Sequence, residues 1–120
     1  MSQTAQTPDG HQKHRDLTAF QQAILSILAE EGRYGLAIKK ELESYYGKEV
    51  NHGRLYPNID QLVDAGLVEK SELDKRTNMY ELTHEGYKTI LDHYEWKLSK
   101  FVINHDRAQD IYDLVDELKP

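Results

Sequence analysis

The chain has 120 residues, 38% hydrophobic and 30% charged, and carries a net charge of −6. Such a length and balance fit one ordered domain, or one domain with an extra helix, and no apolar run approaches a membrane span. No signal-peptide pattern is present either, so no membrane partner and a cytoplasmic location are expected. The absence of cysteine removes disulfides, thiolate nucleophiles, CxxC redox pairs and thiolate zinc sites together.

The charge alone argues against nucleic-acid binding, where a basic face is the usual footprint. Residues 1–80 carry 10 Lys and Arg against 12 Asp and Glu, and residues 81–120 carry 5 against 9. The last third is the more acidic.

Residues 1–16 are polar and aperiodic, and are expected to form a flexible tail whose one cationic run is "HQKHR". Order begins with Thr18 and Gln21, spaced as a capping box. Phe20, Ala23, Ile24, Ile27 and Leu28 then recur at helical spacing, and Gly32 is the predicted stop. A second helix is predicted over 35–46, with Ile38, Leu42 and Tyr45 inward and Gly47 ending it.

In "NHGRLYPNIDQLVDAGLVEK", Leu55, Ile59, Leu62 and Val63 form an inward stripe, with Asn51 as N-cap and Gly66 as stop. Gly53 and Pro57 fall opposite that stripe, flanked by Arg54, Asn58 and Gln61 on one side and Tyr56 on the other. There a proline's missing N–H is best tolerated. The outer surface therefore has little bulk and a rim of hydrogen-bonding groups. A DNA major groove admits such a helix, and Arg, Asn and Gln can pair base edges in bidentate fashion. An ordinary surface helix carries the same residue types.

Two strands, 67–73 and 78–82, flank the turn "DKRT", giving a hairpin with Lys75 and Arg76 at its tip. The fold class expected is mainly α with a small β-hairpin: a winged helix-turn-helix at 17–83. In that architecture the third helix enters the major groove and the wing grips the adjacent backbone.

"AILSILAEEGRYGLAIKKELE", "GRLYPNIDQLVDAGLVEK" and "TNMYELTHEGYK" resemble the PadR family of winged-helix transcriptional regulators. The shared marks are Tyr34–Gly35, Leu55–Tyr56–Pro57, Gly66–Leu67, and Tyr80, Leu82, Thr83 and Gly86. "KEVNHGRLYPN" and "DKRTNMYELT" are most similar to haloarchaeal members, among them a regulator of an oxidative-stress response. The resemblance implies a homodimer that binds a pseudo-palindromic double-stranded DNA operator. By position, Asn51, His52, Arg54, Tyr56 and Asn58 would face DNA, and Lys75, Arg76 and Thr77 would make the wing contact.

In 84–120 the pattern changes to a long helix and a last one. Tyr87, Leu91, Tyr94, Leu98 and Phe101 make a seven-residue apolar repeat of coiled-coil type. This seam is the expected dimerisation surface. A final helix over about 108–118 presents Ile111, Leu114, Val115 and Leu118. The six histidines include no HxxxH or HExxH pair, and no glycine-rich phosphate loop or GxSxG motif occurs. No metal, no cofactor and no enzymatic activity are therefore expected. Some family members bind small aromatic ligands near the fourth helix, a space Tyr94 and Trp96 would line, but simple packing is the expected role of these two residues. A winged helix used only for protein–protein contact is the alternative, favoured by the acidic balance.

Overall fold

The computed structural model describes residues 14–120. The predicted tail lies outside the described residues except for His14–Asp16, which form a turn. Chain contacts define two compact units, one ending at Ile90 and one spanning Leu91–Pro120.

In the first unit, α1 (Ala19–Glu30), β1 (Arg33–Tyr34), α2 (Gly35–Tyr46), α3 (His52–Asp64), β2 (Val68–Asp74) and β3 (Thr77–Leu82) follow in order, and α4 (His84–Phe101) begins. The capping box is formed: the Gln21 amide donates to Thr18 Oγ1 at 3.1 Å, and the Thr18 amide donates to Gln21 Oε1 at 3.2 Å. Gly47 and Gly66 end their segments with φ of 71° and 80°, the left-handed region that costs glycine least. Gly32 acts otherwise than predicted. Helix α1 already stops at Glu30, with Glu31 extended. A Cβ on Gly32 would lie 3.2 Å from the Tyr80 carbonyl oxygen, so the glycine lets the chain enter a sheet.

That sheet has three antiparallel strands in the order β1-β3-β2. Arg33 pairs Tyr80 and Tyr34 pairs Met79, while β2 and β3 form the longer hairpin from Val68↔Leu82 to Asp74↔Thr77. The observed strands lie within one residue of those predicted, and β1 is an addition to the predicted hairpin.

One core joins the layers: Phe20, Ile24, Leu25 and Leu28 of α1, Ile38 and Leu42 of α2, Leu55, Ile59 and Leu62 of α3, with Leu67, Val68, Tyr80 and Ile90. Tyr45, predicted to face inward, is 76% exposed. Its neighbour Tyr46 packs against the core instead, because at the last turn the stripe continues at i+8 from Ile38 and not at i+7.

The start of α4 is fixed by a knot of family-marked residues. The Thr83 hydroxyl donates to the Gly66 carbonyl at 2.7 Å and accepts from the Gly86 amide at 2.9 Å. The Thr83 amide donates to Leu67 O at 3.1 Å. Gly86 crosses so close that a Cβ there would sit 2.1 Å from Leu67 O.

In the second unit α4 continues to Phe101, and α5 (His105–Leu118) follows. α5 starts earlier than predicted because Asn104 caps it, accepting from the Arg107 amide at 3.0 Å. Tyr87, Leu91, Tyr94, Leu98 and Phe101 are all between 40% and 53% exposed. Leu114, Val115 and Leu118 of α5 are likewise exposed. No helix among the described residues is long and apolar enough to cross a membrane.

Candidate nucleic-acid interface

The third helix opens on Asn51, whose Oδ1 accepts the Arg54 amide at 2.8 Å. Its side-chain oxygen is thereby committed to the cap, and only its amide nitrogen is left to reach outward. Asn51, His52, Gly53, Arg54 and Pro57 are exposed, and Tyr56 and Asn58 are half-buried. Pro57 stands inside the helix, where it can donate nothing to Gly53. Asn58 turns back along the helix, its Nδ2 donating to Arg54 O at 2.7 Å. A bidentate pairing of Asn58 with adenine would require that bond to open.

Neighbouring elements fix the two flanks of this surface. On one flank, His52 stacks on Tyr56, with ring centroids 5.6 Å apart and 5° between planes. Tyr56 in turn lies against the start of α2: a Cβ on Gly35 would sit 2.7 Å from its hydroxyl and 2.9 Å from its ring. The Tyr34–Gly35 and Leu55–Tyr56–Pro57 marks, about 20 residues apart in sequence, are thus two sides of one contact. On the other flank, the Arg54 guanidinium lies over Phe20 of α1 at 3.9 Å from the ring centroid.

Gln61 is drawn toward the protein body, its Oε1 accepting from Gln21 Nε2 at 2.8 Å. Glu43 fixes the connection before α3, accepting from the Val50 amide and from Lys39 Nζ, each at 2.9 Å. The Val50 amide, followed by Lys39, holds this carboxyl below its ordinary range.

The wing tip is a two-residue turn, Lys75–Arg76, with both side chains exposed and Thr77 half-buried. Asp74 Oδ1 accepts the Arg76 amide at 2.9 Å. That bond, followed by the one from the Thr77 hydroxyl, lowers the Asp74 pKa. The carboxylate shapes the turn and leaves both cations exposed.

Between α2, α3 and the wing lies a cleft of about 490 Å³ lined by Tyr34, Gly35, Leu36, Tyr56, Arg76, Thr77, Asn78 and Tyr80. Burial, and behind it the charge of Asp60, raises the Tyr80 pKa, while Asn78 hydrogen-bonds its hydroxyl. Tyr34, Leu36 and Asn78 are additions to the sequence-predicted set. Their proximity depends on β1 pairing with β3, which leaves no periodic trace in sequence.

Three helices, a strand that pins a hairpin, and a basic hairpin tip beside the third helix define a winged-helix regulator. Residues 24–92 match the transcriptional regulator PadR-like family, and the chain belongs to that family. It is similar to RosR of Halobacterium salinarum, solved from crystals grown from NaBr: 64% identity over 88% of this chain and 96% of that one, TM-score 0.85. A complex structure of RosR gives 62% identity over 91% and 95% of the two chains, TM-score 0.87. The transcriptional activator GvpE2 of H. salinarum is 38% identical over 53 residues, 44% of this chain. The match spans only 28% of that activator's length.

Proposed function

We propose that the chain is a sequence-specific regulator that binds double-stranded DNA as a homodimer in the cytoplasm. Helix α3 lies in the major groove, and Lys75, Arg76 and Thr77 hold the adjacent backbone. Arg54 and Asn58 read base edges, Asn58 after releasing Arg54 O, and Asn51, His52 and Tyr56 contact phosphates and sugars beside them. The single observation that carries this reading is the outer start of α3, where Gly53 and Pro57 leave a bare surface between exposed Arg54 and His52. The major groove admits one helix, and Arg and Asn can pair base edges there in bidentate fashion.

The domain division that goes with this reading is a DNA-binding part at 17–83 and a helical dimerisation part at 84–120. The exposed row from Tyr87 to Phe101 closes against a second copy, which gives a two-fold dimer and a pseudo-palindromic operator with half-sites one or two helical turns apart. In similarity to haloarchaeal relatives, an oxidative-stress signal is the proposed input. With no cysteine, it acts without thiol chemistry, and Met79 in the wing strand is the sulfur site within the described residues.

The test is binding to the duplex upstream of the protein's own gene, followed by fluorescence anisotropy. Arg54→Ala should cost about 1–3 kcal/mol on that operator and flatten preference at one position per half-site. Lys75→Ala and Arg76→Ala should weaken all sequences alike. Equal losses on operator and scrambled DNA for Arg54→Ala would remove the base-reading role. The net charge of −6 favours a second reading, a winged helix used for protein contact. Absence of any DNA binding by the wild-type chain would select it.

A further inference from the structure

Arg54 does not project freely from α3. Its guanidinium carbon lies 3.9 Å from the Phe20 ring centroid and 6.0 Å from that of Tyr46. The two rings are stacked on each other at 6.1 Å with 19° between planes, and Tyr45 closes the row edge-on against Tyr46 at 5.1 Å. Phe20 is 4% exposed and belongs to the core, so its ring is a fixed seat. Arg54 itself stays exposed, and among the described residues its guanidinium joins no ion pair. One side of the guanidinium is therefore occupied by an aromatic surface, while its N–H donors remain available.

A cation over an aromatic face is attracted by the ring quadrupole, and arginine does so while keeping its planar fork of donors. A long side chain ordered only on binding loses its rotamer freedom at that moment. One that is already seated has lost it beforehand. The residues concerned come from three helices and lie 34 positions apart in the case of Phe20 and Arg54, so the seat is a product of the fold.

We propose that Phe20, backed by Tyr46, is a positioning residue for the base contact of Arg54. The ring pair holds the guanidinium in the free protein and presents it pre-ordered to the major-groove edge. The inference rests on the DNA-binding reading above. It adds that part of the specificity resides in a core aromatic that never touches DNA.

Phe20→Leu keeps an apolar side chain in the core and removes the ring. Operator affinity should fall about 3- to 30-fold, the range a seated cation–aromatic contact supports. Scrambled DNA should be held nearly as before, and preference at the position read by Arg54 should flatten. Phe20→Tyr, which retains the ring, should restore both properties. In an Arg54→Ala background, Phe20→Leu should change operator affinity by less than about twofold, since the partner is already gone. Without DNA, the Arg54 Nε–H proton resonance should show a ring-current shift that disappears in Phe20→Leu. Should Phe20→Leu fail to fold, Tyr46→Leu at the half-buried edge of the seat should give the same sign with a smaller size.

Additive losses in the double mutant, equal losses on operator and scrambled duplex, or an unshifted Nε–H resonance in the wild type would each overturn the inference. Wild-type binding that is sensitive to Arg54→Ala but uncoupled to Phe20 removes this inference alone. Failure of the wild type to bind any duplex removes it together with the DNA-binding reading.

Discussion

Gly86→Ala is the substitution for which the structure gives the sharpest energetic expectation. The new Cβ would lie 2.1 Å from the Leu67 carbonyl oxygen, 3.0 Å from its carbon and 2.7 Å from Leu82 Cδ1. Carbon–oxygen contacts of this kind settle at about 3.3–3.6 Å, so α4 has to withdraw by more than about 1 Å at its first turn. Inserting a methyl into a packed crossing costs about 1–3 kcal/mol. The withdrawal also stretches the Thr83 bonds to Gly66 and Leu67, now 2.7 and 3.1 Å, each worth about 1 kcal/mol. Against this stands about 1 kcal/mol from the better helix propensity of alanine. The net expectation is a loss of about 2–4 kcal/mol, a large part of the roughly 5–15 kcal/mol of a typical domain. A unit of this size loses about 4–8 °C of melting temperature per kcal/mol, so the midpoint should fall by about 8–32 °C. Circular dichroism melts at matched protein and salt concentrations measure it. An unchanged or higher midpoint would show that α4 does not cross Leu67 so closely.

Gly53→Ala makes the opposite case: its Cβ meets only Asn51 Oδ1 at 3.4 Å, so stability should hold or rise by up to about 1 kcal/mol while operator affinity falls. Loss of stability with unchanged DNA binding would contradict it. Glu43, held below its ordinary pKa of 4.5 by the Val50 amide, contributes stability that is complete above that value and is lost as pH falls through the lowered folded pKa. Acid titration of Glu43→Gln should therefore show a shallower stability decline below pH 4.5 than wild type, and parallel curves would rule the linkage out. Changing Leu91 and Leu98 together to Asp should give monomers by sedimentation that no longer bind the operator specifically, whereas a persistent dimer would place the interface elsewhere. With 12 acids beside 10 bases in residues 1–80, net counterion release should be small and the log–log salt slope shallow compared with about −10 for strongly basic repressors. Titration with potassium chloride measures that slope, and a steep monotonic loss would put the acids far from DNA.

Local chemistry made most of the fold legible in advance. Thr18 with Gln21, Asn51, Gly47 and Gly66 each act within a few residues of themselves, so their roles follow from spacing alone, whereas only the Gly86 half of Thr83's role is local. Tyr45 was misplaced because one residue of drift at the end of α2 separates an exposed ring from a packed one. The strand β1 escaped because two residues have no period, and only their partner Tyr80 makes them a strand. The residues proposed for the interface lie along the outer rim of α3 and at the hairpin tip, positions that spacing alone assigns. Spacing does not assign their internal contacts: Arg54 over Phe20, Tyr56 on Gly35 and Asn58 turned onto Arg54 O depend on which helix lies beside which. Sequence patterns report which face is buried but say nothing of the neighbour that buries it.

The pairing of Arg33 with Tyr80 and Tyr34 with Met79 makes the wing a lever of fixed length. Tyr80 is 1% exposed, and a slip of one residue would carry it to the solvent side and bring Met79 inward, so the hairpin cannot slide along its peg. From Tyr80 to Arg76 the chain runs four residues, about 14 Å of extended strand. The tip cations therefore stand off from the Tyr80 anchor by a distance set in residues. Lengthening both strands by one residue would turn each strand's faces over beyond the insertion. Lengthening both by two would restore the facing and carry the tip about 7 Å farther out. A wing of regular pairing thus changes reach in steps of two, and a one-residue change needs an irregularity such as the one between Glu72 and Asp74, where β2 carries an extra residue.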